Sequence, residues 1–425
     1  MKNFKKIIAI CIVLAVALLS VACSPKGEIG GEIKDSKSKE TVEITTAQYL
    51  YALSSAVQEA NSLIDQANSD KEIKNYAKYK VVETDENGKE VKTKYEKWVK
   101  AKTDEILKNY AASIIKADAY KLKLSKDEKA DKTSVDEETW KTNSFYFYNN
   151  GVGYNTVCDY QDAKSLKINY FYAIYGEEGE KPLKEEEYVD YFNKNFCLVN
   201  IVSIATSEGV DGDEEETGKK AVSVKEAKNT LKSYQKKLKA GKMAFVDAYV
   251  EIMDKYDSTT LESRKNEDGE YSEDIAETVS YSPEVGTYRN NTFGPYLAQQ
   301  GMTLSDMEPG INYVDNFADF KDMKVGSYKI FEAEDGSSVF LVEKLDINEI
   351  KEHVHEEGEE HDHEEGENTH LENYRDSILH ILKDEEFNKN FDAFAKALKI
   401  TLNSATDGIT YEDIDLATAE ESKEE

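Results

Sequence analysis

Residues 188–207, YVDYFNKNFCLVNIVSIATS, hold the switch on which the fold turns. Glu185–Glu187 lead into Tyr188, Tyr191 and Phe192, spaced as on one face of a helix. The next residues, Leu198-Val199-Asn200-Ile201-Val202-Ser203-Ile204, are apolar and mostly β-branched, which is a strand signature. A helix therefore feeds directly into a buried strand. Before this junction the chain is long, charged and helical in its periodicity. After it come a helix pair and a hairpin, and then a further helix. The expected fold class is α+β: a mostly helical domain built from both chain ends, with a small antiparallel sheet and its helices inserted between them.

The spacing supports this division. Tyr49, Leu50, Leu53, Ala56, Val57, Ala60, Leu63 and Ile64 recur at helical intervals, with Thr45 or Thr46 placed to cap them. Val99, Thr103, Ile106, Leu107, Tyr110, Ala111, Ile114, Ala117 and Tyr120 line a longer helix within Tyr95 to Leu124. Trp140 to Tyr148 (WKTNSFYFY) is an aromatic cluster that reads either as packing between helices or as a cleft for unfolded chains. Beyond the junction, Val224 to Ala240 and Phe245 to Tyr256 read as helices, with Gly241 ending the first. Asp257 to Thr292 is polar and turn-rich, and Tyr328 to Leu345 reads as a hairpin.

The chain begins with a targeting signal. Lys2, Lys5 and Lys6 precede an apolar run, Ile7 to Leu19, and Val21-Ala22-Cys23 supplies small residues before a cysteine. This is similar to a bacterial lipoprotein cleavage site, with Ser20 where such sites prefer Leu, and it marks Cys23 as the lipid attachment residue. Two acyl chains there suffice for stable anchoring, so the expected location is the extracytoplasmic face of the cell membrane. Cys11 leaves with the leader, so Cys158 and Cys197 remain to pair or to stay as buried thiols.

The boundaries that follow are a leader at 1–22, a flexible tether at 23–41, a helical domain at 42–194 and the α+β module at 195–348. A loop at 349–370, a returning helix at 371–410 and an acidic tail at 411–425 complete the chain. Formal charge is −31. A chain this acidic does not bind nucleic acid by neutralising phosphates, and it favours basic or unfolded partners.

The loop carries His353 and His355, then His361 and His363, among ten carboxylates between residues 349 and 368. Imidazole and carboxylate suit Zn²⁺. Two readings of the loop stand, a solvated acidic linker without a cofactor or a weak Zn²⁺ site, and a zinc-binding lipoprotein is a separate alternative for the function of the whole chain.

The layout of strand, long loop, two helices and closing hairpin inside a helical lipoprotein resembles the PrsA/SurA family of extracytoplasmic foldases, whose members carry a parvulin-type peptidyl-prolyl isomerase domain. Four stretches carry the resemblance: Thr93 to Glu128, Glu185 to Ile204, Ala227 to Tyr256 and Lys324 to Leu345. It implies a membrane-anchored chaperone for unfolded or newly exported polypeptides, with prolyl isomerisation in the inserted module. The site departs from the family. Asn200 stands at the first-strand histidine, and Val339 or Phe340 falls near the last-strand one. All six histidines lie between His353 and His380, outside the module. The resemblance thus leaves open an active isomerase, a chaperone whose catalysis is lost, and a non-catalytic adaptor.

Overall fold

The computed structural model describes residues 27–84, 88–206, 220–266, 269–299, 316–333, 335–348 and 369–415. Cys23, the leader and His353, His355, His361 and His363 lie outside the described residues. The chain forms two units, one of residues up to Pro182 together with Asp384 onward, the other Leu183–Lys383.

The first unit opens with strands β1 (Ile29–Lys34) and β2 (Thr41–Thr45), which pair antiparallel with Ile33 opposite Val42. Thr45 then caps helix α1 (Thr46–Ala67). Its side chain accepts from the Gln48 amide while the Gln48 side chain accepts from the Thr45 amide, a reciprocal box that satisfies two amides the first turn leaves without helical partners. A hairpin of β3 (Lys80–Thr84) and β4 (Glu90–Lys94) leads into α2 (Tyr95–Tyr120), which Lys121 ends in the left-handed conformation at φ 59°. Two short helices, α3 (Glu137–Asn143) and α4 (Phe145–Asn149), precede α5 (Tyr154–Tyr175). Helices α1, α2 and α5 bury Leu53, Val57, Ile64, Leu107, Ala111 and Phe171. A polar knot lies among them: the Gln48 side-chain amide donates to Tyr110 Oη at 2.9 Å, and Tyr160 Oη donates to the Gln48 carbonyl at 2.9 Å.

The second unit begins with α6 (Glu185–Asn195), which runs without a break into β5 (Phe196–Ala205). Next come α7 (Val224–Lys239), α8 (Phe245–Tyr256), α9 (Ser258–Glu262), β6 (Glu277–Tyr281), α10 (Pro283–Gln299) and α11 (Phe317–Lys321). The hairpin β7 (Tyr328–Glu332) and β8 (Ser338–Lys344) follows. These strands make one antiparallel sheet in the order β6-β5-β8-β7. Successive side chains alternate between its faces. Val202, Ile204, Val339 and Leu341 pack under Leu231, Phe245, Tyr249 and Ile252 of α7 and α8. Val199, Ile201, Phe340 and Val342 pack on the other face with Phe320 of α11. The long helix α12 (Thr369–Ala397) closes this unit and continues into the first, where Phe387 and Phe391 meet Tyr170 and β9 (Lys399–Leu402) follows. Within the first unit β9 pairs with β1, giving the order β2-β1-β9.

Three expectations are corrected. The tether expected at 23–41 contains β1, the central strand of that sheet, with Ile33 wholly buried. Its Gly, Lys and Glu content hides a strand, and one of its two partners, β9, lies at the far end of the chain. Gly31 permits the approach: a Cβ there would sit 2.6 Å from the Thr401 carbonyl oxygen. Helix α6, expected within the helical domain, belongs to the second unit. The start of the acidic tail is packed: Tyr411 meets the Tyr95 ring edge-on at 5.3 Å, and Ile414 is buried.

Candidate functional site

The sheet of the second unit sets one row of polar side chains across all four strands. Asn200 on β5 lies opposite Glu343 on β8 and Glu277 on β6, and Glu343 lies opposite Tyr328 on β7. Residues in register project to the same face, here the face that α7 and α8 partly cover. The row lies between the apolar layer of Val202 and Leu341 on one side and buried Leu198 on the other.

Its geometry is specific. The Asn200 amide nitrogen donates to Glu343 Oε2 at 2.9 Å. The Tyr328 hydroxyl donates to Glu343 Oε1 at 2.7 Å, and burial together with that hydrogen bond pushes the phenol up to about 12. The Gln235 side chain of α7 donates to the Tyr328 carbonyl at 3.0 Å and fixes the edge strand. At the other end His370 Nε2 is 2.9 Å from Glu277 Oε1, whose side chain is only 9% exposed. Beyond Glu277 lies an aromatic box. The buried Arg289 guanidinium sits 5.8 Å from the Tyr281 ring and 5.4 Å from the rings of Phe293 and Tyr374.

The opposite face carries a different set. Cys197 is wholly buried there, and burial pushes its thiol up, while Lys344 and Lys321 pull against that shift. A thiol held protonated on that face is no nucleophile for the polar row. Cys158, in the first unit, is likewise buried and free.

Asn200, expected near the first-strand histidine position, lies opposite Glu343 and Glu277 in the polar row. Phe340, expected near the second histidine position, does not join it. It lies opposite Ser203, on the face with Phe320 and Phe331. The residue across from Asn200 is Glu343, three positions further on. Sequence reading missed Glu343, Glu277 and Tyr328. Their signal was the two-residue alternation counted along each strand, and only the inter-strand register turns that alternation into a row. Among the described residues no group of three or more His, Cys, Asp or Glu is placed to hold a metal ion, and no helix is long and apolar enough to cross a membrane.

Chemically, the row offers an amide, a phenol, an imidazole and two carboxylates. Asn200 and Tyr328 direct their donors at Glu343, so the centre of the row is paired within itself. All four residues of the row are half-buried, and their carboxylate oxygens keep acceptor capacity suited to backbone N–H groups or cations.

No protein-family profile matches the sequence, and no curated protein matches it. Among solved structures, the chain is similar to the foldase protein PrsA from Streptococcus pneumoniae, at 12% identity and a TM-score of 0.25, over 74% of this chain and 93% of that one. It is also similar to the foldase protein PrsA from Lactococcus lactis, at 15% identity and a TM-score of 0.29, over 71% of this chain and 86% of that one.

Proposed function

We propose that this protein is a lipid-anchored, extracytoplasmic folding factor that binds unfolded or newly exported polypeptides, with a parvulin-like second unit that binds chains but isomerises them weakly or not at all. The reading is carried by one observation: Asn200 and Glu343 face each other on the two central strands of a β6-β5-β8-β7 sheet, inside a polar row beside α7 and α8. The order of strand, helices, strand, helix and hairpin supports a parvulin-like module, and Asn200, the residue expected at its first-strand histidine position, is part of the row.

The chemistry argues for binding over turnover. Rotation about a peptide bond crosses a barrier of about 18–20 kcal/mol. A catalyst lowers it by stabilising the twisted amide more than the planar one. That calls for donors aimed at the amide, and here the Tyr328 hydroxyl and one of the two Asn200 N–H groups are directed at Glu343. Acceptor oxygens remain, and they hold an extended chain by its N–H groups. The basic leader and Cys23 support export and acylation.

The test uses the soluble chain from Ser24 in two assays: protease-coupled prolyl isomerisation, and suppression of aggregation of a denatured client. Protection without isomerisation is the expected result, with Asn200→His raising isomerisation above the background. Strong isomerisation by the unchanged chain overturns the assignment of a silent module. Absence of both activities overturns the folding-factor reading.

A further inference from the structure

The first unit holds a second site that the polar row does not account for. A cavity of about 120 Å³ lies beside α3, lined among others by Trp140, Tyr148, Tyr154, Glu137 and Lys132. Its size is well below the 300–1,000 Å³ typical of small-molecule pockets, and it suits the tip of one side chain.

Its walls are aromatic, and its charged lining is one carboxylate, Glu137, and one ammonium, Lys132. The Trp140 indole is fixed by donation to the Val152 carbonyl at 2.9 Å, and its ring lies 5.5 Å from that of Tyr154. The Tyr154 hydroxyl is held by Ser134 at 2.7 Å. Tyr148 Oη lies 3.4 Å from Glu137 Oε1, a long contact that leaves this carboxylate with acceptor capacity. The lining cation, Lys132, is 2.6 Å from Asp159 Oδ1 and so is already neutralised. An ammonium group already approaches one wall: Lys141 Nζ is 5.8 Å from the Tyr148 ring centroid. Rings preset by hydrogen bonds, with a carboxylate in the same lining, form a cage for a cation.

We infer that this cavity of the helical unit is a receptor for a single arginine side chain of an extended polypeptide. A planar guanidinium stacks on indole and phenol faces and pairs with a carboxylate in one pose, which an ammonium cannot do as well. The chain's formal charge of −31 draws such segments in. The inference rests on the reading of the protein as a binder of unfolded polypeptides, and it adds what the first unit selects from them.

The experiment titrates the full-length chain in mild detergent with a proline-free, serine- and glycine-rich peptide bearing one central arginine. Matched peptides carry citrulline, lysine or norleucine at that place. The arginine peptide is expected to bind about fivefold tighter than its citrulline twin. That ratio should fall toward one in Glu137→Gln and in Tyr148→Leu, and stay unchanged in Glu90→Gln, a loss of charge on β4. A ratio of one in the unchanged chain, equal effects of Glu137→Gln and Glu90→Gln, or norleucine binding as tightly as arginine would each overturn the cage. Aggregation protection measured on the same samples separates the two ideas. Protection retained without arginine preference removes the cage alone, whereas loss of both removes the folding-factor reading as well.

Discussion

Ile33→Ala is the sharpest probe of the first unit, because a tether and a central strand predict opposite outcomes for it. Ile33 is wholly buried and lies in register with Val42 on one side and Ile400 on the other. Truncating a buried isoleucine to alanine costs about 2–5 kcal/mol, the lost transfer energy plus the cavity left behind. The site has little room to collapse, because both neighbouring strands are hydrogen-bonded to β1, so we take about 3 kcal/mol. Both tryptophans, Trp98 and Trp140, are in the first unit and buried, so their fluorescence reads that unit's unfolding. With a urea slope of about 2–3 kcal/mol/M for a body of this size, the midpoint should fall by about 1 M. The control is Lys34→Ala, one residue away and exposed, where a change within about 0.5 kcal/mol is expected. If Ile33→Ala moves the midpoint no further than Lys34→Ala does, β1 is not integral to the unit and the residues before Thr41 are a tether after all.

Two further outcomes follow from the structure. Tyr95, Tyr120, Tyr175 and Tyr328 have phenols pushed up to about 12, each chiefly by burial. A phenol with a folded pKa above its unfolded value near 10 holds its proton more tightly when folded, so its contribution is complete below about pH 10 and is lost toward pH 12. Urea midpoints should therefore drop across that window, and a flat profile would contradict the burial of these rings. In the second unit Arg375 makes paired hydrogen bonds to Glu185 at 2.8 and 3.0 Å, binds Glu372, and lies 4.5 Å from the Tyr188 ring. Glu185 is 60% exposed, so solvent screening holds the cost of Arg375→Ala to about 1 kcal/mol. Arg375→Lys should recover less than half of it in calorimetry, since an ammonium lacks the fork; full recovery would show that charge alone matters.

Legible in the chain's own pattern were the α+β class, a helix-to-strand junction within residues 188–207, the long amphipathic helices and the closing hairpin. Each of these is written in local periodicity, which neighbouring residues satisfy among themselves. Thr45 capping α1 and Gly241 ending the turn after α7 are local in the same sense. Tertiary structure decided the rest. Ile29–Lys34 becomes the central strand only when Lys399–Leu402 comes alongside its other edge, since a polar, glycine-containing stretch gains its place in a sheet from its partners and not from its own composition. The site shows the same division. Asn200 was legible as a polar residue in an apolar strand, but its companions Glu343, Glu277 and Tyr328 depended on register. A shift of one residue would have turned Glu343 to the Phe320 face and brought Lys344 or Val342 opposite Asn200 instead. Register is set by the simultaneous packing of both sheet faces against α7, α8 and α11, a condition on the whole second unit that no single stretch of sequence contains.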